Sequence, residues 1–221
     1  MILGVSHLVL SSARPDEEVR TLANYGFELS HSRDDVPNKA AKAPFLFGNM
    51  PETTIMRLAK SNRQLPLVEI VRENTGASDD GGFAPGTTGF ELDLDHADTA
   101  SVTIRCKDTE QASGLWRCVG ANGISDDPNG HTVDFTNNAI CAGLKLRYVA
   151  GETEIMPTFL NHEGLVCVAF LCRDADALRA RLNANGYEVG ECFDLVPFAT
   201  RLRLFLMRNR SGEIYEFLSL G

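Results

Sequence analysis

A histidine stands in the middle of a short apolar run, GVSHLVLSS (residues 4–12), and two glutamates stand in similar company far downstream, in PLVEIVR and SGEIYEFLSL. Strand side chains alternate between two faces. His7 is therefore expected to share a face with Val5 and Val9, Glu69 with Leu67 and Val71, and Glu216 with Ile214 and Leu218. A carboxylate on an apolar face is costly unless it is paired or binds a cation. If the imidazole and both carboxylates converged, they would form a divalent-metal site with open positions. Such a site could take two oxygens of a substrate while one carboxylate moves a proton. Taken singly, each residue also has a plainer reading. His7 fits a satisfied core or interface histidine, and Glu69 a water-facing residue of an edge strand.

Whether they converge depends on the elements that carry them. Residues 4–29 overlay 164–189 without a gap, and Gly4, Asp16, Leu22, Gly26 and Glu28 fall on identical residues at 164, 176, 182, 186 and 188. Each copy reads as an apolar strand, then a helix with apolar residues at helical spacing (Val19, Leu22 and Ala23; Leu178 and Leu182), then a glycine and a second strand. Pro15 followed by three acids suits a helix start, and Asp174 can cap the later helix. Gly26 and Gly186 suit left-handed stops. A weaker version begins at SVTIRCKD (residues 101–108). Further strand-like runs after each helix, separated by turn formers, read as antiparallel pairs. The expected organisation is thus α+β, three β-α-β-β-β units: 1–75, 89–150 (degenerate) and 165–221, joined by linkers at 76–88 and 151–164.

This pattern resembles the vicinal oxygen chelate superfamily, which includes glyoxalase I, bleomycin-resistance proteins, fosfomycin-resistance enzymes and extradiol dioxygenases. The resemblance covers units one and three well and unit two loosely. It implies that two units form a cup holding a divalent metal (zinc, nickel, manganese or iron) through a first-strand histidine and a last-strand glutamate of each unit. The familiar first-strand pattern is a histidine with an aspartate seven residues on. CVAFLCRD (residues 167–174) has that spacing with Cys167 in the histidine place, whereas HLVLSSAR keeps His7 but has Arg14 for the aspartate. SGEIYEF matches the last-strand pattern and points to Glu216; PLVEIV points to Glu69 without the glycine. The resemblance therefore implies His7, Glu69, Glu216 and Cys167 as metal ligands and Glu216 as the catalytic base. Unit two has Ser101 and Lys145 at the corresponding places. A Cys167 thiolate would favour zinc; a small buried hydrophobe is its plainer reading.

Arg201 and Arg203, on one face of the strand run RLRLFLM, are candidates for gripping an anionic group of a substrate, against the commoner reading of solvated arginines. The stretch 30–45 is long for a connection and suits either a lid or plain surface. The functional expectation is a glyoxalase-like lyase, isomerase or transferase. The alternative is a metal-free small-molecule binding protein of the bleomycin-resistance kind.

The bulk composition narrows the partners. The chain has 221 residues, 43% apolar and 23% charged, with a net charge of -9. That acidity disfavours nucleic acid and anionic membrane, and no apolar run reaches the roughly 20 residues of a membrane helix. Six cysteines without a CxxC pair, in a chain with no secretory leader pattern, read as free thiols in a cytoplasmic protein. Three units leave one unpaired. Either units one and three form the cup together, or a homodimer completes it.

Overall fold

The computed structural model describes residues 1–73, 90–94, 99–121, 123–127, 130–136, 143–151, 157–196 and 200–221. Three segments share a β-α-β start. The first comprises β1 (Ile2–Ser11), α1 (Pro15–Ala23), β2 (Phe27–Pro37), β3 (Thr53–Ser61) and β4 (Leu67–Glu73). The next comprises β5 (Phe90–Asp93), β6 (Thr99–Cys106), α2 (Thr109–Val119), β7 (Ile124–Asp127), β8 (Gly130–Asp134) and β9 (Gly143–Ala150). The last comprises β10 (Gly164–Cys172), α3 (Ala175–Ala184), β11 (Glu188–Val189), β12 (Phe193–Leu195), β13 (Leu202–Arg208) and β14 (Ile214–Leu220).

Local chemistry sets the helix ends. The Asp108 and Asp174 carboxylates accept from the backbone N–H groups of Gln111 (2.8 Å) and Ala177 (2.9 Å), satisfying orphan donors at the starts of α2 and α3. α1 has no side-chain cap; Pro15 opens it, and Asp16, Glu17 and Glu18 follow in its first turn. α2 stops at Gly120, whose φ of +71° is left-handed.

The strands form two sheets. The large one runs β11-β13-β14-β10-β1-β4-β3-β2, with β12 also on β13, and the small one runs β5-β6-β9-β8-β7. In each segment the first strand lies parallel to the last: β1 with β4, β6 with β9, and β10 with β14. The first and last segments join within one chain, β1 antiparallel to β10, with His7 opposite Ala169 and Val9 opposite Cys167. Of the two assemblies left open by the sequence, the intrachain one is therefore present.

The back of the large sheet is the core. Leu8, Val68, Ile70, Phe170, Tyr215 and Phe217 pack there with Leu22 of α1, Leu178 and Leu182 of α3, and the small sheet. Trp116 of α2 is buried at this junction, with its ring centroid 4.8 Å from Phe170 and 5.3 Å from Tyr215. Its indole N–H donates to the Tyr148 hydroxyl (2.6 Å), which lies 2.7 Å from that of Tyr215. A buried tryptophan and two buried tyrosines thus satisfy one another's polar atoms.

Three sequence readings need correction. Simple alternation placed Val5 beside His7, but the β1–β10 register shifts between them, leaving Ser6 as an extra residue. This bulge turns Val5 into the back core while His7 and Val9 face the front. The second strand of the last segment is split into β11 and β12 around Gly190. Lys145 is not the counterpart of Glu69 and Glu216. Two residues beyond His7, Val9 is opposite Glu69; two beyond Cys167, Ala169 is opposite Glu216; two beyond Ser101, Thr103 is opposite Arg147.

Among the described residues no helix is long and apolar enough to cross a membrane. Cys106, Cys118, Cys167, Cys172 and Cys192 are free. Cys141 and the expected linker 76–88 lie outside the described residues.

Candidate functional site

The β1–β10 seam brings four side chains from four strands to the front of the large sheet. His7 comes from β1, Glu69 from the neighbouring β4, and Glu216 and Cys167 from β14 and β10. The His7 Nε2 lies 3.1 Å from a Glu69 carboxylate oxygen and 3.9 Å from a Glu216 oxygen. Cys167 lines the same small cavity as both glutamates. Arg201 and Arg203 are not brought there. They lie on the opposite face of β13 from Leu202, Leu204 and Leu206. Arg203 is held by both oxygens of Asp176 (3.0 Å each) and by Asp194 (3.4 Å), and Arg201 by Asp194 (2.7 Å).

The bulge at Ser6 has a direct consequence for the imidazole. The Ser6 hydroxyl lies 3.1 Å from His7 Nδ1, within hydrogen-bonding distance, which fixes the ring and leaves Nε2 for another partner. That Nε2 is buried and makes no hydrogen bond. The Glu69 oxygen, 3.1 Å away, is near enough for ion pairing. A buried imidazole nitrogen without a hydrogen bond, beside two carboxylates and a thiol, is a donor set suited to a borderline divalent ion. Among the described residues no three such side chains already surround a common point as ligands would. The residues fit such an ion in type and proximity, and they touch each other instead.

The electrostatics separate the two glutamates. Burial pushes the Glu216 carboxyl up, and the charge of Glu69 adds to that, outweighing His7 and Lys42. Burial acts the same way on Glu69, but its contact with His7 and the charges of His7 and Lys42 win, so its pKa falls. Burial lowers His7, yet the two glutamates more than reverse this and its pKa rises. Cys167 is pushed well up by burial and by Glu216 and Glu69, and so stays a neutral thiol.

The cavity is small and covered. About 30 Å3 remains between Val9, Lys42, Glu69, Glu73, Cys167 and Glu216, room for an ion or a water or two and far below the ~300 Å3 of a ligand pocket. The cover is the stretch 38–52, in which a 3-10 turn (Ala40–Phe45) presses Phe45 and Leu46 against Val9, Val71, Cys167 and Leu206. Sequence reasoning missed Lys42 and Ser6. The unusual length of the connection was the available signal for the first; nothing in the sequence marked the bulge that places the second. A larger groove of about 1320 Å3 lies between α1 and the front of the small sheet, away from these residues. It is an open trough with charges of both signs, so the smaller cavity is the better candidate.

No family model matches the chain, and no curated protein matches it. Solved structures similar to it include a methylmalonyl-CoA epimerase from Mycobacterium tuberculosis, with 10% identity, TM-score 0.44, and coverage of 100% of this chain and 89% of that one. Glyoxalase I from Zea mays has 14% identity and TM-score 0.38, covering 98% of this chain and 67% of that one. A glyoxalase/bleomycin resistance protein/dioxygenase from Alicyclobacillus acidocaldarius has 15% identity and TM-score 0.40, covering 56% and 91%. These are remote likenesses, and the fold class rests on the strand order itself. The neighbours named are all members of the vicinal oxygen chelate superfamily, the one that the chain's own strand-and-helix repeat resembles.

Proposed function

We propose that this chain is a divalent-metal-dependent enzyme of the vicinal oxygen chelate kind, an isomerase, lyase or transferase of a small molecule with adjacent oxygens. His7, Glu69 and Glu216 would hold the metal. The observation that carries this reading is the convergence of one buried imidazole nitrogen that makes no hydrogen bond and two half-buried carboxylates, 3.1 and 3.9 Å away, on the front of a seam between two similar units. When bound, the metal supplies Lewis-acid polarisation of the substrate's oxygens. Ser6 orients the imidazole. Glu69, with its lowered pKa, stays ionised and anchors His7. Glu216, whose pKa burial and the charge of Glu69 raise, is the group suited to take and return a substrate proton. Cys167 contributes a neutral wall unless a soft metal deprotonates it.

A second reading is a metal-free binding protein. Its support is that His7 and Glu69 already compensate each other without a metal. Trace-metal analysis of protein purified without chelator separates the two. The enzyme reading expects a stoichiometric divalent ion in the wild type that His7→Ala loses. Wild-type protein that stays metal-free after incubation with zinc, nickel, manganese and iron would leave the binding reading.

A further inference from the structure

The cover over the cavity is built as a separable unit. Its two ends meet at a neck, where the Asn38 N–H donates to the Glu52 carbonyl (2.9 Å). The Asn38 side chain ties that neck to Pro51 (3.1 Å) and to the Glu73 carboxylate (2.7 Å), which Thr54 also holds (2.7 Å). A surface segment with joined ends and its own packing is an Ω-loop, a form that can move as a body about its neck.

Its far side is pinned to a different part of the chain. Phe47 exchanges two hydrogen bonds with the Asn161 side chain, its N–H donating (2.8 Å) and its carbonyl accepting (2.9 Å), and the Leu160 N–H donates to the Phe45 carbonyl (2.8 Å). The Arg208 guanidinium lies over the Phe45 and Phe159 rings at 5.7 and 5.0 Å. Phe45 rests on Gly190, where a Cβ would come within 2.9 Å of the ring. The break between β11 and β12 is the seat of that ring.

One charged group on this loop faces inward. Lys42 lines the cavity with Glu69 and Glu216, and among the described residues its ammonium makes no hydrogen bond and no ion pair within 4 Å. Beside it, Ala41 packs toward an apolar floor of Ala169, Leu204 and Leu218. A lone ammonium next to a site suited to a vicinal-oxygen ligand is placed to receive an anionic oxygen of that ligand.

We propose that residues 38–52 form a lid that must open for ligand to enter, and that Lys42 is the ligand-contacting residue it carries, selecting small anions with adjacent oxygens. The ligand class rests on the reading of the site given above; the lid does not.

Cys167, buried beneath the lid, is the natural reporter. Alkylation by iodoacetamide, a neutral reagent, is followed at each cysteine by peptide mass spectrometry. Cys106 and Cys172 are equally buried but lie elsewhere, with thiols at about 12 and about 11. Cys167 is held well up by its neighbours as well, so thiolate content gives it no advantage. The wild type is expected to react faster at Cys167 than at these two, and Asn161→Ala to speed Cys167 about tenfold more while leaving them unchanged. Equal rates at all three, or an Asn161→Ala effect shared by all three, would overturn the lid. Glycolate, a small anion of this class, is expected to slow Cys167 alkylation where sodium chloride at equal ionic strength does not. Lys42→Met should raise the half-protecting concentration about tenfold and Lys42→Arg should restore it. Absence of protection, or equal protection in Lys42→Met, would overturn the role of Lys42. Metal content, measured on the same samples, reports separately on the metal reading.

Discussion

The large and small sheets carry the same strand order, β1-β4-β3-β2 and β6-β9-β8-β7, with the first strand parallel to the last in each. Their back faces are also alike. Leu8, Val68 and Ile70 in one and Val102, Ile104 and Leu146 in the other are fully buried. The front faces differ in almost every respect. On the large sheet His7, Val9, Glu69 and Val71 look into a covered cavity beside a second unit. On the small sheet Ser101, Thr103, Arg105 and Arg147 line an open trough, and the neighbour of β6 is the short β5 instead of another unit's first strand. Back-face packing therefore suffices to keep the strand order. The front-face site of the large sheet draws on two units edge to edge, one supplying His7 and Glu69 and the other Cys167 and Glu216.

The strongest way to break this comparison is to disable each front in turn. His7→Ala or Glu69→Gln should lower divalent-metal affinity, and any activity, by at least ~100-fold, since even outer partners of metal ligands are worth 10–100-fold. Ser101→Ala and Arg147→Ala should change neither. Equilibrium dialysis with zinc and manganese reads both sets. An Arg147→Ala protein that lost metal with the others would move the site to the small sheet.

A second prediction concerns what the two sheets share. Trp116→Ala removes the ring wedged between them and leaves the Tyr148 hydroxyl, itself paired with that of Tyr215, without its indole donor. It should lower unfolding free energy by about 3–5 kcal/mol, whereas Lys145→Ala on the exposed front should stay within about 0.5 kcal/mol. Urea denaturation followed by far-UV circular dichroism gives both values. If the tryptophan variant were near neutral, the small sheet would be a loosely attached appendage.

These contrasts also explain what the sequence could reveal. That His7, Glu69 and Glu216 meet could be expected from the strand runs that carry them and from the internal repeat that sets two such units side by side. The helix cap Asp174 was legible because a cap acts over a few residues. What depends on distant partners was not. Arg201 and Arg203 looked available until α3 and β12 supplied Asp176 and Asp194. The extra residue at Ser6 follows from the register against β10, and the Arg147 counterpart from the register between β6 and β9. Lys42 gains meaning from the fold of the loop over the cavity.

A third prediction sharpens the electrostatic side of the comparison. The carboxyl of Glu216 and the imidazole of His7 both hold their protons more tightly in the folded chain than at their ordinary values of 4.5 and 6.5. The folded state then binds more protons than the unfolded one, so these two groups make stability fall as pH rises from about the ordinary carboxylate value through the raised value of His7. Glu69 acts oppositely: its stabilisation is present above 4.5 and is lost as pH falls through its lowered value. Metal-free Glu216→Gln should therefore be about 1–2 kcal/mol more stable than wild type at pH 8, with the gain shrinking toward pH 5. Guanidinium melts at the two pH values test it, and a destabilised variant at pH 8 would show that Glu216 is already well compensated in the folded chain. The solvated Lys145→Gln should move by less than about 0.5 kcal/mol at either pH.

The smallest expected effect comes from trying to make the two fronts alike. Ser101→His with Arg147→Glu copies onto the small sheet the relation that His7 and Glu69 have across β1 and β4, since the two pairs share a register. The new imidazole and carboxylate would stand in water, where each is already hydrated. Neither would be driven onto a cation by burial. Asp93 stands opposite Ser101 across β5 and β6 and lines the same trough, but it too is partly solvated, and among the described residues no loop covers this front as residues 38–52 cover the other. Solvated donors that nothing holds in one geometry bind a divalent ion weakly, even with Asp93 counted among them. The double variant should therefore take up no more zinc than wild type in equilibrium dialysis. A second tightly held ion in that protein would mean that the residue pair is sufficient by itself, and that neither the seam nor the cover over the cavity is needed to build the site.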